Sequence, residues 1–139
     1  MEKFILFAAA HPILVGIFVV LLILLIITEN QKGGKTISNI ELTKLVNRDD
    51  TAVIIDLRDS KSFKAGHITQ AINVPHATLK QNLQMLDKYK ESPVILVCDH
   101  GQHSGSSGQI LSKSGFAHIL RLRGGIHGWS GENLPLVRS

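Results

Sequence analysis

A second cysteine is missing from this chain: Cys98 is the only one in 139 residues. No intrachain disulfide can form, so disulfide-stapled scaffolds are excluded and a reducing compartment is compatible. Massed basic charge is missing as well. The net charge is +4 with a pI near 9.4, and the 15 Lys and Arg are dispersed along the chain. Nucleic acid is therefore not an expected partner, whereas a modestly basic surface suits anionic lipid. Internal repeats and low-complexity segments are also absent, and the length allows one domain beyond any N-terminal segment.

One stretch lacks charge altogether. FILFAAAHPILVGIFVVLLILLII, residues 4–27, contains no Lys, Arg, Asp or Glu. As a helix it would reach about 36 Å, against a hydrocarbon core of about 30 Å. The expectation is one N-terminal transmembrane helix, kinked at His11-Pro12, because proline removes a helical hydrogen bond. A cleaved signal peptide is the competing reading, but the apolar run is overlong and TENQKGG has no small-x-small cleavage site. The expected organisation is an N-terminal tip (1–3), a transmembrane helix (4–27), a Gly-containing linker (28–35) and a folded domain (36–139). Lys3 and the terminal amine stand against Lys32, Lys35 and Lys44, and positive-inside counting puts the domain in the cytoplasm. A periplasmic domain is the alternative if that short count misleads.

Within the domain, Ser38-Asn39-Ile40-Glu41 has capping-box spacing and should start a helix running to about Asn47. AVIIDL (52–57) and PVILVC (93–98) are continuous apolar runs of strand length, as expected of strands covered on both faces. HILRL (118–122) and residues 71–74 are further strand candidates. Helical patterns cover 60–64, 77–89, 106–114 and 126–132. Alternating strands and helices predict an α/β domain with a central, mainly parallel sheet flanked by helices.

Cys98 ends one of these strands. A cysteine there is often a small buried hydrophobe. The segment after it, DHGQHSGSSG (99–108), is rich in glycine and serine, as expected where backbone approaches a ligand closely. Asp99, His100, Gly101, Gln102, His103 and Ser104 would carry the chain from strand to helix. Their backbone amides, with the helix N-terminus, could hold an anion and favour a nucleophilic thiolate. A cysteine phosphatase would need an Arg six residues after the cysteine to take phosphate bidentately. Position 104 is Ser, and no Arg lies between Cys98 and Arg121. Phosphoryl transfer is thereby disfavoured.

The pattern C-x-x-G-x-H-S at 98–104 resembles the active-site loop of rhodanese-family sulfurtransferases, usually C-x-x-G-x-R-S. DLRDSKSFKAGHITQAINVP (56–75) resembles that family's D-x-R…F-x-x-G-H-I-x-G-A-x-N-x-P block, and GGIHGW (124–129) its G-G-x-x-x-W end. The early HPIL and the late GENLPLVR further resemble single-domain, membrane-anchored, YibN-type rhodaneses of Gram-negative bacteria. The resemblance implies a rhodanese-like domain on one N-terminal transmembrane helix in the bacterial inner membrane. It also implies transfer of a sulfane sulfur from thiosulfate or a persulfide, through a persulfide on Cys98, to a thiol, cyanide or a protein. No cofactor is implied. With no second cysteine, the acceptor must be external. The alternative is a catalytically weak rhodanese-fold binding module, tethered to the membrane and engaging a protein partner there.

His103 stands where the family often has Arg, and Asp99 adds negative charge beside the thiol, so the loop should hold thiosulfate weakly. Gln70 replaces a usual Gly and should alter a turn. Asp56 and Arg58 are expected to form a buried ion pair supporting the first loop. His67 is read as a structural histidine, and Trp129 and Phe116 as core. Arg121 and Arg123 could attract anions or simply be solvated. The spacing of Cys98, His100 and His103 fits no common closed zinc site, so no metal is expected.

Overall fold

A computed structural model describes residues 1–31 and 33–139, with backbone alone for 29–31. Lys32, part of the expected linker and of the charge count, lies outside the described residues. The chain divides into two units, Met1–Gln31 and Lys32–Ser139.

The first unit corrects the expectation of a single spanning helix. It consists of α1 (Glu2–Ala10) and α2 (Pro12–Gln31), bent by 99° at the break. Pro12 cannot donate a backbone hydrogen bond, and its ring keeps the preceding residue out of helical geometry. His11 accordingly sits at φ −130°, ψ 59°, and its N–H closes α1 on the Phe7 carbonyl at 3.0 Å. Pro12 then opens α2, where its missing N–H costs nothing. Among the described residues no single helix is long and apolar enough to cross a membrane, but the pair Glu2–Ala10 with Pro12–Thr28 is so by length and composition. Helix α2 also continues through the start of the segment read as linker, with the Thr28 hydroxyl donating to the Leu25 carbonyl at 2.9 Å.

The second unit holds a five-stranded sheet of β1 (Lys35–Ile37), β2 (Val53–Asp56), β3 (Ile72–Asn73), β4 (Pro93–Val97) and β5 (His118–Leu122). Their order is β1-β5-β4-β2-β3 with every pairing parallel. The side-chain alternation of the two central strands makes two cores. Ile55, Val94 and Leu96 face one side, with Leu79, Leu111 and Phe116, and Ile54, Ile95 and Val97 face the other, with Leu42, Ile126 and Trp129. Both faces are apolar because both are covered, as the uninterrupted apolar runs require. Strand β1 was not anticipated; three residues at a sheet edge are too few to show a pattern.

Helix α3 (Asn39–Arg48) starts with the expected reciprocal capping: the Glu41 amide donates to Ser38 Oγ at 3.2 Å and the Ser38 amide to Glu41 Oε2 at 2.7 Å. Helices α4 (Ser60–Ala65), α6 (Ser104–Lys113) and α7 (Gly125–Gly131) follow the sequence pattern. Residues 77–89 do not form the single helix their leucine spacing predicts. A 3-10 segment His76–Asn82, a turn of helix α5 (Leu83–Leu86) and a second 3-10 turn Asp87–Tyr89 replace it. The Asn82 side chain donates to the Thr78 carbonyl at 3.0 Å, the acceptor that an α-helix would give to the Asn82 amide. Leu79 and Leu86 still reach the core.

Candidate active site

In an open parallel sheet the loops after the strands gather at the carboxyl end, where neighbouring connections diverge. Strand β4 is central here: its chain continues to β5 on one side, while β2 continues to β3 on the other. Cys98 is the first residue beyond β4. The loop it opens is fixed from outside by α7, whose Ile126 amide donates to the Cys98 carbonyl at 2.8 Å and His127 amide to the Asp99 carbonyl at 3.0 Å. Only glycine fits at position 125. A Cβ there would lie 2.1 Å from the Cys98 carbonyl oxygen, and φ is +57°. Cysteine loop and G-G-x-x-x-W end are therefore parts of one device.

The Cys98 side chain is 1% exposed and faces the core shared with Leu79 and Leu111. Three groups of the same loop meet its sulfur. The Gly101 amide donates to Sγ at 3.0 Å, Ser104 Oγ lies at 3.3 Å, and Gln102 Oε1 at 3.9 Å. The Gly101 hydrogen bond depends on φ +92°, which a glycine adopts without strain. Gln102 Oε1 also accepts the His100 amide at 2.9 Å, so that amide turns to the side chain and not to the sulfur. Ser104 begins α6, whose first-turn N–H groups have no partner within the helix, and the positive end of the helix dipole stands beside Sγ. An amide N–H donating to the sulfur, with a hydroxyl in reach that can turn to donate as well, suits a sulfur anion.

Two stacked histidine pairs flank the loop. His103 stacks on His76 at 4.8 Å between centroids, and His100 on His127 at 3.9 Å. His76 is tied to α6 through Nδ1 and Ser107 Oγ, 2.6 Å apart. Burial, and then the proximity of His103, holds the His76 pKa below the ordinary histidine value. Neutral imidazole is thus its favoured form. Among the described residues no three His, Cys, Asp or Glu side chains converge to hold a metal ion.

Asp56 and Arg58 form a buried, two-pronged ion pair, Nε to Oδ1 at 3.0 Å and Nη2 to Oδ2 at 2.8 Å. Arg58 also donates to the Gly66 carbonyl at 2.7 Å, and Asn73 Nδ2 to the Arg58 carbonyl at 2.8 Å. These bonds tie the loop after β2 to β3; neither charged group touches the cysteine. His67 is buried, stacked on Phe63 at 3.8 Å and paired with Val137 in an antiparallel bridge, a structural position. Trp129 and Phe116 are core, the indole N–H reaching the Pro135 carbonyl at 3.0 Å. Arg121 Nε donates to the Gly34 carbonyl at 2.9 Å, which anchors β1 beside β5, and Arg123 is exposed.

Sequence reasoning passed over His76 and His127, and took Ser107 only as part of the glycine- and serine-rich stretch 99–108. A signal was available: His76 follows β3 and His127 follows β5, so in a parallel sheet both belong at the same end as Cys98.

The family model for the Rhodanese-like domain matches residues 38–132. The uncharacterized protein YibN of Escherichia coli K12 is 38% identical over 99% of both chains. The thiosulfate sulfurtransferase GlpE of Coxiella burnetii is 36% identical over 71% of this chain and 90% of its own. Among solved structures, a rhodanese-like domain protein of Staphylococcus aureus superposes with a TM-score of 0.66 at 26% identity, over 76% of this chain and 98% of that one. A thiosulfate sulfurtransferase of Pseudomonas aeruginosa gives 0.69 at 25% identity, over 79% of this chain and 21% of that one.

Proposed function

The chain belongs to the rhodanese-like domain family, and from that premise we propose that it is a membrane-anchored sulfurtransferase with Cys98 as the sulfur-carrying nucleophile. One observation carries the reading: the Gly101 amide donates to Cys98 Sγ and Ser104 Oγ lies within hydrogen-bond distance of it, in a six-residue loop at the N-terminus of α6. The likeness to GlpE supports thiosulfate as a donor. The Cys98 thiolate attacks the sulfane sulfur, the S–S bond of thiosulfate breaks, and its electron pair leaves on sulfite. A thiolate or cyanide acceptor then attacks the outer sulfur of the persulfide, and the pair returns to Sγ. The Gly101 and Ser104 groups meet the negative charge on Sγ in the thiolate, before the sulfur is taken up and after it is given away. Asp99 to Ser104 form the anion-binding shell, and Asp56 with Arg58 holds the neighbouring loop after β2 in place.

The bent apolar pair α1 and α2 supports anchoring in the bacterial inner membrane, and the lysine count supports a cytoplasmic domain. The same helices offer a surface to a membrane-protein partner.

Intact-mass spectrometry of the purified chain before and after thiosulfate, and again after cyanide or a thiol, tests the chemistry. The expected result is one sulfur gained, about 32 Da, then lost to the acceptor, on wild type and not on Cys98→Ser. No gain with thiosulfate or any persulfide donor would overturn the reading in favour of a rhodanese-fold binding module, which the exposed His103 in place of Arg also fits.

A further inference from the structure

A cleft of about 750 Å³ runs between the 3-10 segment His76–Asn82 and α6. That is within the range of roughly 300–1,000 Å³ typical of small-molecule sites. His76, Lys80 and Leu83 form one wall and Ser106, Ile110 and Lys113 the other. Among the described residues no carboxylate lines it, and neither lysine has an ion-pair partner. Leu83 and Ile110 pack against the same buried cluster that contains Cys98, so the cleft lies on the cysteine's side of the sheet.

A short run of contacts leads from the cleft to the sulfur. His76 stacks on His103, and the Ser106 hydroxyl donates to the His103 carbonyl at 3.1 Å. The next residue, Ser104, places its Oγ 3.3 Å from Sγ. Because His76 is held toward its neutral form, the positive charge of the cleft comes from its two lysines. One apolar side chain and one cation on each wall, Leu83 with Lys80 and Ile110 with Lys113, match a short carbon chain with a carboxylate toward each wall.

We propose that this cleft seats the sulfur acceptor, a small dicarboxylate thiol whose carboxylates pair with Lys80 and Lys113 and whose sulfur passes the His76–His103 stack to reach Cys98. The proposal rests on the sulfurtransferase reading above. In the transfer, the acceptor thiolate bonds to the outer sulfur, the bond from that sulfur to Cys98 Sγ breaks, and its electron pair stays on Sγ. The products are an acceptor persulfide and the starting thiolate, with no external oxidant or reductant.

The test uses the full chain in detergent, preloaded with sulfur, and compares discharge by mercaptosuccinate and by 2-mercaptoethanol at equal thiolate concentration. Wild type should favour the dianion. Lys80→Gln with Lys113→Gln should lower the ratio of the two kcat/KM values about tenfold, through the KM for mercaptosuccinate. Lys61→Gln, on α4 and outside the cleft, should leave the ratio in place. Equal discharge by the two thiols in wild type, or an unchanged ratio in the double variant, would overturn the proposal and leave the sulfurtransferase reading standing.

A second measurement separates the two claims. S-methyl mercaptosuccinate cannot accept sulfur, and calorimetry should show it binding wild type more tightly than the double variant, again by about tenfold. Such binding with no sulfur transfer at all would break the enzymatic reading and keep the cleft as an anion site. Equal or no binding to both proteins would remove the cleft assignment.

Discussion

The two units of this protein are built from similar side chains put to opposite use. In α2 the residues from Ile13 to Ile27 are apolar on every side of the helix, and all but the half-buried Val15 are exposed: Leu24 is 52% accessible. In β4 the residues Val94 to Val97 are just as apolar and completely buried. What differs is length and geometry. A run of about five residues becomes a strand with two faces, each of which a layer of helices can cover. A run of some fifteen residues in a helix presents an apolar surface all round, which a single covering layer cannot bury.

Placing charge on α2 challenges this contrast most severely. With Val19→Asp and Leu22→Asp together, each carboxylate should cost about 2.5–3.5 kcal/mol of insertion. The chain should move from the membrane pellet to the soluble fraction, and a variant that stays in the pellet would mean that lipid is not what meets this surface. Truncation separates the units next. Leu96→Ala should cost about 2–5 kcal/mol in denaturant unfolding of the domain, because a cavity remains between closely packed layers. Leu21→Ala in α2 should change the same transition by less than about 0.5 kcal/mol.

A smaller effect of opposite sign is expected at Gln70, which sits at φ +68°. That is left-handed backbone with a side chain attached, at the place where the family resemblance has glycine. Gln70→Gly should raise domain stability by about 0.5–1 kcal/mol in the same unfolding experiment.

The least change is expected from pH. The folded pKa of His76 lies below the unfolded value of 6.5, so the unfolded chain takes up the proton first. Stability should be full above pH 6.5 and decline as pH falls below it. His76→Gln should flatten that decline in thermal melts at a series of pH values, and an unchanged slope would place the burden on another group.

Much of the domain could be read directly. The capping box at Ser38, the two central strands and the loop opened by Cys98 all rest on local rules, and each rule acts within a few residues. The failures are of two kinds. Residues 77–89 carry a helical leucine pattern, but the Asn82 side chain competes for a backbone carbonyl and the segment tightens. Strand β1 is invisible locally because it exists only through its pairing with β5.

The order of residues along the chain was enough for the alternation of strands and helices, the uncharged N-terminal run and the position of the single cysteine at a strand end. Those are consequences of backbone sterics and hydrophobic periodicity, which operate over a few neighbours. It took the folded chain to clamp the cysteine loop with α7 through Gly125, to set at 99° the bend that Pro12 puts into the apolar run, and to bring His76 and His127 into the site. The physical reason for the clamp and the histidines is the parallel sheet: it gathers, at one end, residues that the chain keeps far apart, and no local rule contains that distance.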